Sequence, residues 1–285
     1  MPAWTFDTPG PVGLDLELPL GRVELETVEG TTTHVDLEGS SEFEDIMAKA
    51  IVEAVQRGNG HQVRVEVRDR TGLIIRIGNA PTMRLRVSCP PEADVVVRTK
   101  SADVRARGSY GSFEAKTASG DVGLDRVNGD ARLKTASGDV AIERAGGTVQ
   151  VQTASGDVAL QKARGDVAVQ AVSGDVWLKD ASRSVRVNTV SGDQRLEAVV
   201  EGAVQAESVS GDVLIGVRRG ARVYVDAKTV SGSTSSELEL TDAPAGHDAG
   251  ADEGDGPMVE VRAKTVSGDI AIVRAAAAPS ETPAS

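Results

Sequence analysis

The chain has 285 residues, of which 40% are hydrophobic and only 2% aromatic, so its core must be built from Val, Ile, Leu and Ala. Its 31 glycines are too many for long helices and suit a fold with many turns. The net charge of −12 argues against nucleic acid or an anionic membrane as the main partner, and the single cysteine, Cys89, excludes an internal disulfide framework.

The N-terminal sequence has neither a basic start nor an apolar core, so we expect no signal peptide. No stretch approaches the roughly 20 apolar residues that are needed to span a bilayer. We therefore expect a cytoplasmic protein without membrane insertion.

Residues 1–99 are predicted to form an N-terminal β region, or cap, that contains one helix. The apolar residues from Phe43 to Val55 follow helical spacing, and Ser41 with Glu44 forms a capping box. This pattern predicts an amphipathic helix over about 42–57. Such a helix could cover the first turn of the structure that follows, and binding a partner is the alternative use.

From residue 100 onward the chain repeats one phrase. "KTASGDV" occurs at Lys116–Val122 and again at Lys134–Val140, and the motif serine recurs every 18 residues from Ser119 to Ser191. Further copies follow at Ser210, Ser231 and Ser267, and all copies except the one at Ser231 continue with Gly-Asp. A second, weaker turn lies halfway through each unit, as in "NGD" and "RGD".

The segments between these turns alternate apolar and polar residues, as in Val158, Leu160, Val167 and Val169, which is typical of strands. An antiparallel meander would leave its apolar face uncovered. A β-solenoid would point both strands of each unit at each other. We therefore predict an all-β, repetitive β-solenoid with two strands per 18-residue coil.

The motif is interpreted as the corner of each coil. Glycine tolerates the sharp bend, and serine and aspartate can bond nearby backbone N–H groups. The predicted structural turn ladder comprises Ser119, Gly120, Asp121, Ser137, Gly138, Asp139, Ser155, Gly156, Asp157, Ser173, Gly174, Asp175, Ser191, Gly192, Asp193, Ser210, Gly211, Asp212, Ser267, Gly268 and Asp269. Calcium is the alternative ligand of such a ladder, but one Asp per corner supplies too few oxygens. Stacked carboxylates should repel one another, which would raise their pKa values.

The repeats are expected over residues 100–235, followed by an acidic disordered loop at 236–257. The final coil of the solenoid is predicted at 258–275 and a disordered tail at 276–285.

With these motifs in hand, the sequence resembles the bacterial putative-adhesin family with β-strand repeats, also described as the toastrack domain of unknown function. The resemblance rests on "TFDTP" at Thr5–Pro9, on the iterated "TASGDV" and "TVSGDV", and on "VEVRAKTVSGDIAI" at Val259–Ile272. It covers nearly the whole chain. The resemblance implies an all-β repeat fold without known catalytic residues, and some relatives are linked to cell-envelope stress systems.

No catalytic motif is found. The sequence has no H-E-x-x-H pair, no G-x-S-x-G elbow and no phosphate-binding glycine loop before a helix. We expect no catalytic residues, no cofactor and no metal. The "RGD" at Arg164–Asp166 is interpreted as a variant of the halfway turn, and not as an adhesion motif.

The outward positions of the first strand form a stripe of small and apolar residues that contains a tryptophan. The candidate interface is Ala141, Ala159, Trp177 and Leu214. We expect a non-enzymatic scaffold or interaction module that has a protein partner or self-associates. The alternatives are a self-assembling, filament-forming solenoid and a polysaccharide-active β-helix enzyme.

Overall fold

The computed structural model describes residues 2–40, 43–68, 83–238 and 256–275. This part of the chain contains 22 strands and one short helix. The first strands and the helix are β1 (Ala3–Asp7), β2 (Val12–Thr27), β3 (Thr32–Gly39), α1 (Glu44–Met47), β4 (Ile51–Arg57), β5 (Gly60–Glu66), β6 (Met83–Cys89) and β7 (Ala93–Lys116).

The repeat region supplies short strands of similar length. They are β8 (Val122–Val127), β9 (Ala131–Lys134), β10 (Val140–Ala145), β11 (Val149–Ser155), β12 (Val158–Ala163), β13 (Val167–Ser173), β14 (Val176–Ala181), β15 (Val185–Ser191), β16 (Gln194–Val199), β17 (Gly202–Glu207) and β18 (Val213–Val217). The last strands are β19 (Arg222–Ser231), β20 (Thr234–Ser236), β21 (Met258–Ser267) and β22 (Ile270–Arg274).

From β8 to β16, each strand pairs in parallel with the strand two positions further along the chain. Val140 lies opposite Val158, and Val158 lies opposite Val176. In the other ladder, Val149 lies opposite Val167. Equivalent residues of successive 18-residue units therefore stack on one another. The prediction of a nearly all-β, solenoid-like fold is confirmed.

The inward positions of these strands form one continuous core. Val, Leu, Ile and Ala side chains such as Leu160, Val169 and Leu178 are at most 2% exposed. Full burial of a side chain of this size stabilises the fold by about 1.5–3 kcal/mol. Two of the chain's few aromatic residues, Tyr110 and Phe113, meet edge to face in this core, with ring centroids 5.8 Å apart.

The N-terminal strands first extend the stack by parallel pairing and then end it with antiparallel pairs. The long strand β2 pairs in parallel with β7, β5 and β6. Beyond it, β3 pairs antiparallel with β6, and β1 pairs antiparallel with β3. The predicted boundary at residue 99 falls inside the uninterrupted strand β7.

The predicted helix over about 42–57 is wrong for most of its length. The helix α1 ends at Met47, and β4 forms an antiparallel hairpin with β5 around Gly58, whose φ is +64°. The pattern of "IVEAVQR" fits both periods, since Val52 and Ala54 alternate toward the core as they would in a strand. This segment forms a strand because it contains β-branched residues, because a two-residue turn follows it, and because the edge of β5 is open for pairing.

The C-terminal strands do not lie at the end of the stack. Strand β21 is inserted between β17 and β19, and β22 lies between β18 and β20. The predicted final coil at 258–275 is therefore last in the chain but second to last in space. The coil of β19 and β20 ends the stack. Residues 239–255 of the predicted acidic loop and the predicted tail at 276–285 lie outside the described residues.

The corner glycines are needed because successive coils approach closely there. At Gly174, φ is +132°, and a Cβ atom would lie 2.3 Å from the carbonyl oxygen of Gly156. Contacts below 3.0 Å are essentially never seen for real Cβ atoms. Any side chain at this corner would have to separate two coils.

We expect Gly174→Ala to lower the free energy of unfolding by about 1–3 kcal/mol more than Gly30→Ala does. Gly30 is the matched control, because its φ is +143° while a Cβ there would meet nothing within 4 Å. The difference between the two variants isolates the coil-to-coil contact from the backbone strain that both share. Urea denaturation followed by circular dichroism measures the free energy of unfolding of each variant. Equal destabilisation by the two substitutions would contradict the role of Gly174 in the close contact between coils.

Candidate functional site

The motif aspartates form a hydrogen-bonded chain along one corner of the solenoid, here called the aspartate ladder. In each rung the backbone N–H of one aspartate donates to Oδ1 of the aspartate in the preceding coil, at distances from 2.8 to 3.3 Å. The members are Asp103, Asp121, Asp139, Asp157, Asp175, Asp193, Asp212 and Asp269. The carboxylates therefore join one coil to the next.

The ladder ends at the one motif copy that lacks aspartate. Ser233 donates its backbone N–H and its hydroxyl to Oδ1 of Asp269, at 2.7 and 2.9 Å. These bonds hold the pKa of Asp269 below its ordinary value, and the bond from the backbone N–H of Ser233 contributes the most. Stability from this shift is present at neutral pH and is lost as the pH falls through the lowered pKa. In space, no described coil lies beyond the coil of Ser233. A carboxylate at this position would therefore have no further backbone N–H from which to accept a hydrogen bond.

The backbone N–H groups of the corner glycines are satisfied in two ways. Thr117 and Thr135 accept the N–H of the corner glycines Gly120 and Gly138 through their hydroxyl oxygens, both at 2.9 Å. From Gly156 onward the glycine N–H donates instead to a serine carbonyl of the next coil, as Gly156 does to Ser173 at 3.2 Å. The hydrogen bond of the corner glycine N–H thus lies within one coil in the early repeats and between two coils in the later ones.

The ladder offers little to a metal ion. One oxygen of each carboxylate from Asp103 to Asp212 already accepts an amide of the neighbouring coil. Across the described ranges, no group of three or more His, Cys, Asp or Glu side chains could hold a metal. The observed bonds of these aspartates link neighbouring coils at the corner.

The candidate interface forms one row on the outside of the even-numbered strands. Ala141, Ala159 and Trp177 lie in consecutive rungs, and Arg195 separates Trp177 from Leu214. The Trp177 ring is half-buried, and its Nε1–H donates to Oε1 of Glu197 at 3.0 Å, while Nε of Arg195 donates to the same oxygen at 3.1 Å. The indole is thereby fixed in place on the sheet.

A second apolar row was missed by the sequence analysis. It is called the valine ridge here, and its side chains are between 49% and 83% exposed. In spatial order its members are Val172, Val190, Val209, Val266 and Val230. The signal was in the sequence, since the alanine before the motif serine in the early copies is replaced by valine in the later copies, but a stacked ridge follows only once the rungs are aligned.

Two buried titratable groups carry no reactive character. The Cys89 thiol is fully buried, and its desolvation raises its pKa to about 12. Burial also raises the pKa of the Tyr110 hydroxyl, which donates to the carbonyl of Arg107 at 3.0 Å. Neither group is available as a nucleophile or a base near neutral pH.

Within the described ranges, no helix is long and apolar enough to cross a membrane.

We expect Asp175→Ala to lower the free energy of unfolding by about 1 kcal/mol, because the Asp193 amide loses its acceptor. Asp175→Asn is the matched control, since its side-chain oxygen can still accept that bond. Hydrogen exchange at the Asp193 amide should accelerate in the alanine variant and stay near the wild-type rate in the asparagine variant. Unchanged exchange in the alanine variant would mean that the carboxylate does not hold the next coil.

Comparison with solved structures returns bacterial proteins that align along almost their full length. A putative adhesin from Parabacteroides distasonis is 9% identical, with a TM-score of 0.48, and the alignment covers 95% of this chain and 96% of that one. A putative adhesin from Bacteroides fragilis is 12% identical, with a TM-score of 0.43 and 95% of each chain covered. A putative cell adhesion protein from Clostridium sporogenes is 11% identical, with a TM-score of 0.26 and coverage of 93% and 92%.

No curated protein matches the chain. The sequence model of the family described as Toastrack DUF4097 matches residues 46–273. This match takes in the hairpin of β4 and β5, all of the 18-residue repeats and the inserted C-terminal coil. The chain therefore belongs to the Toastrack DUF4097 family.

Proposed function

We propose that this protein is a non-enzymatic interaction module whose solenoid presents a binding surface to a protein partner. The observation that carries the proposal is the valine ridge, five stacked valines that are all at least 49% exposed. Adjacent rungs of a parallel sheet lie about 4.8 Å apart, so the ridge runs for roughly 19 Å. A contiguous apolar row of this kind is typical of interaction sites.

The surroundings of the ridge suggest the chemistry of the partner. The aspartate ladder runs along the same corner as the ridge. Trp177 is the second residue of the next strand, β14, five residues after Val172. A partner would bury apolar side chains on the valines and set Lys or Arg side chains against the aspartates. Charge complementarity of this kind contributes to specificity and to the rate of association.

Location and cellular role are part of the same proposal. We place the protein in the cytoplasm, since its single cysteine, Cys89, is free and buried, which is compatible with a reducing compartment. A role in bacterial envelope-stress signalling is supported by the family resemblance. These assignments are independent of which residues form the binding surface.

The second candidate is a self-assembling element. The edge strand β19 is ten residues long, and among the described strands only β21 pairs with it. Its residues Val223 and Val225 are only partly covered. Unpaired edges of this length favour addition of another chain. Size-exclusion chromatography with light scattering separates the two candidates, since the module predicts monomers or small discrete oligomers and the alternative predicts filaments.

We expect the double variant Val190→Thr and Val209→Thr to lose the partner that the wild type recovers from the native host. Threonine keeps the shape and β-propensity of valine but places a hydroxyl on the apolar ridge. Stability should change by less than about 0.5 kcal/mol, because both side chains are exposed. Affinity purification followed by mass spectrometry is the measurement.

The matched control is the pair Gln152→Thr and Gln170→Thr, which are exposed, stacked neighbours in the same ladder. This variant should recover the partner as the wild type does. Equal recovery by the ridge variant and the control would show that the ridge does not bind the partner.

A further inference from the structure

A row of cations lies near the ends of three strands, just before the halfway turns of the solenoid. Arg126, Arg144 and Lys162 occupy the same position in three successive repeats and lie opposite one another in the parallel ladder. The neighbouring rungs are Ser109 on one side and Asp180 on the other, so the row is limited to three rungs about 4.8 Å apart. This corner is distinct from the corner of the aspartate ladder.

The three cations line one groove of about 340 Å³ together with a fourth, Arg164, from the "RGD" turn. The other described residues that line it are neutral, and none is acidic. In a chain with a net charge of −12, a groove with four cations and no carboxylate in its lining is a local reversal of the overall charge.

The two arginines of this row have no bonded partner among the described residues. Within residues 2–40, 43–68, 83–238 and 256–275, the guanidinium groups of Arg126 and Arg144 make no hydrogen bond or ion pair. Some other arginines of the stack are paired, as Arg132 is with Asp130 at 3.0 Å and Arg218 is with Asp180 at 2.9 Å.

The acidic groups nearby line a neighbouring groove and not the groove that contains Arg164. Arg126 and Arg144 also border a second groove, which holds Glu29, Asp125 and Glu143. Asp125 is engaged there by the backbone N–H of Gly108 at 3.1 Å. The side of the arginines that faces Arg164 is therefore the side open to an anion.

We propose that this groove binds a condensed phosphate, the di- or triphosphate group of a small molecule. Guanidinium groups match the oxygens of a phosphate with pairs of parallel hydrogen bonds. A linked chain of phosphates places several charges within the short span of three rungs. An extended acidic peptide fits less well, since its side chains on one face repeat every two residues, at about 6.6 Å. Nucleic acid is disfavoured by the net charge of the chain.

Isothermal titration with inorganic triphosphate, ATP and inorganic monophosphate tests the site on the full-length protein. We expect millimolar or tighter binding of triphosphate and clearly weaker binding of monophosphate. Equal affinity for ATP and triphosphate would support recognition of the phosphate chain itself. Binding of ATP without binding of inorganic triphosphate would overturn the proposal.

The double variant Arg126→Gln and Arg144→Gln should bind triphosphate at least about tenfold more weakly, since two charge-assisted contacts are lost. Both side chains are exposed and unpaired, so the variant is expected to fold, which circular dichroism checks. The matched control is Arg132→Gln, an exposed arginine of the same stack that is paired with Asp130. It should stay within about twofold of the wild type. Equal affinity of the double variant and the wild type would show that the groove is not the site.

Discussion

In-register stacking of 18-residue units at glycine corners is the constraint on which the rest of this structure depends. The corner glycines approach the previous coil so closely that a Cβ at Gly138 would lie 2.0 Å from the Gly120 carbonyl oxygen. With the coils held at that distance, each ladder aspartate reaches the amide of the next coil, and the inward Val, Leu and Ile side chains close into one core. A slip of one residue would turn every inward side chain outward.

Much of this fold could be predicted from the sequence, because the information is local and repeated. The 18-residue period, the strands, the inward positions and the corner role of Ser-Gly-Asp all follow from alternation and turn chemistry. The segment around Ile51 could not be assigned in this way, since its pattern suits both a helix and a strand and the free edge of β5 decides between them. The insertion of β21 beside β17 depends on pairing over more than 50 residues, which no local pattern encodes.

The candidate sites differ from the corner ladder in how they could be found. A motif that recurs in every coil cannot be a unique site, so binding must use positions where successive repeats differ. The row around Trp177 could be predicted by comparing equivalent positions. The valine ridge and the cation row needed the rung alignment, and the ridge also needed the true spatial order of Val209, Val266 and Val230. Sequence order alone would have placed Val230 between Val209 and Val266.

The order of the last coils is tested most directly by disulfide crosslinking in a Cys89→Ala background. Val266 lies one rung from Val209 and one rung from Val230, about 4.8 Å each, whereas Val209 and Val230 are two rungs apart, about 10 Å. Disulfides form only below about 7 Å between Cα atoms. Cysteine pairs at 209 and 266 and at 230 and 266 should therefore crosslink on oxidation, and the pair at 209 and 230 should not. Efficient crosslinking of 209 to 230, with none to 266, would contradict the inserted coil and this stacking order.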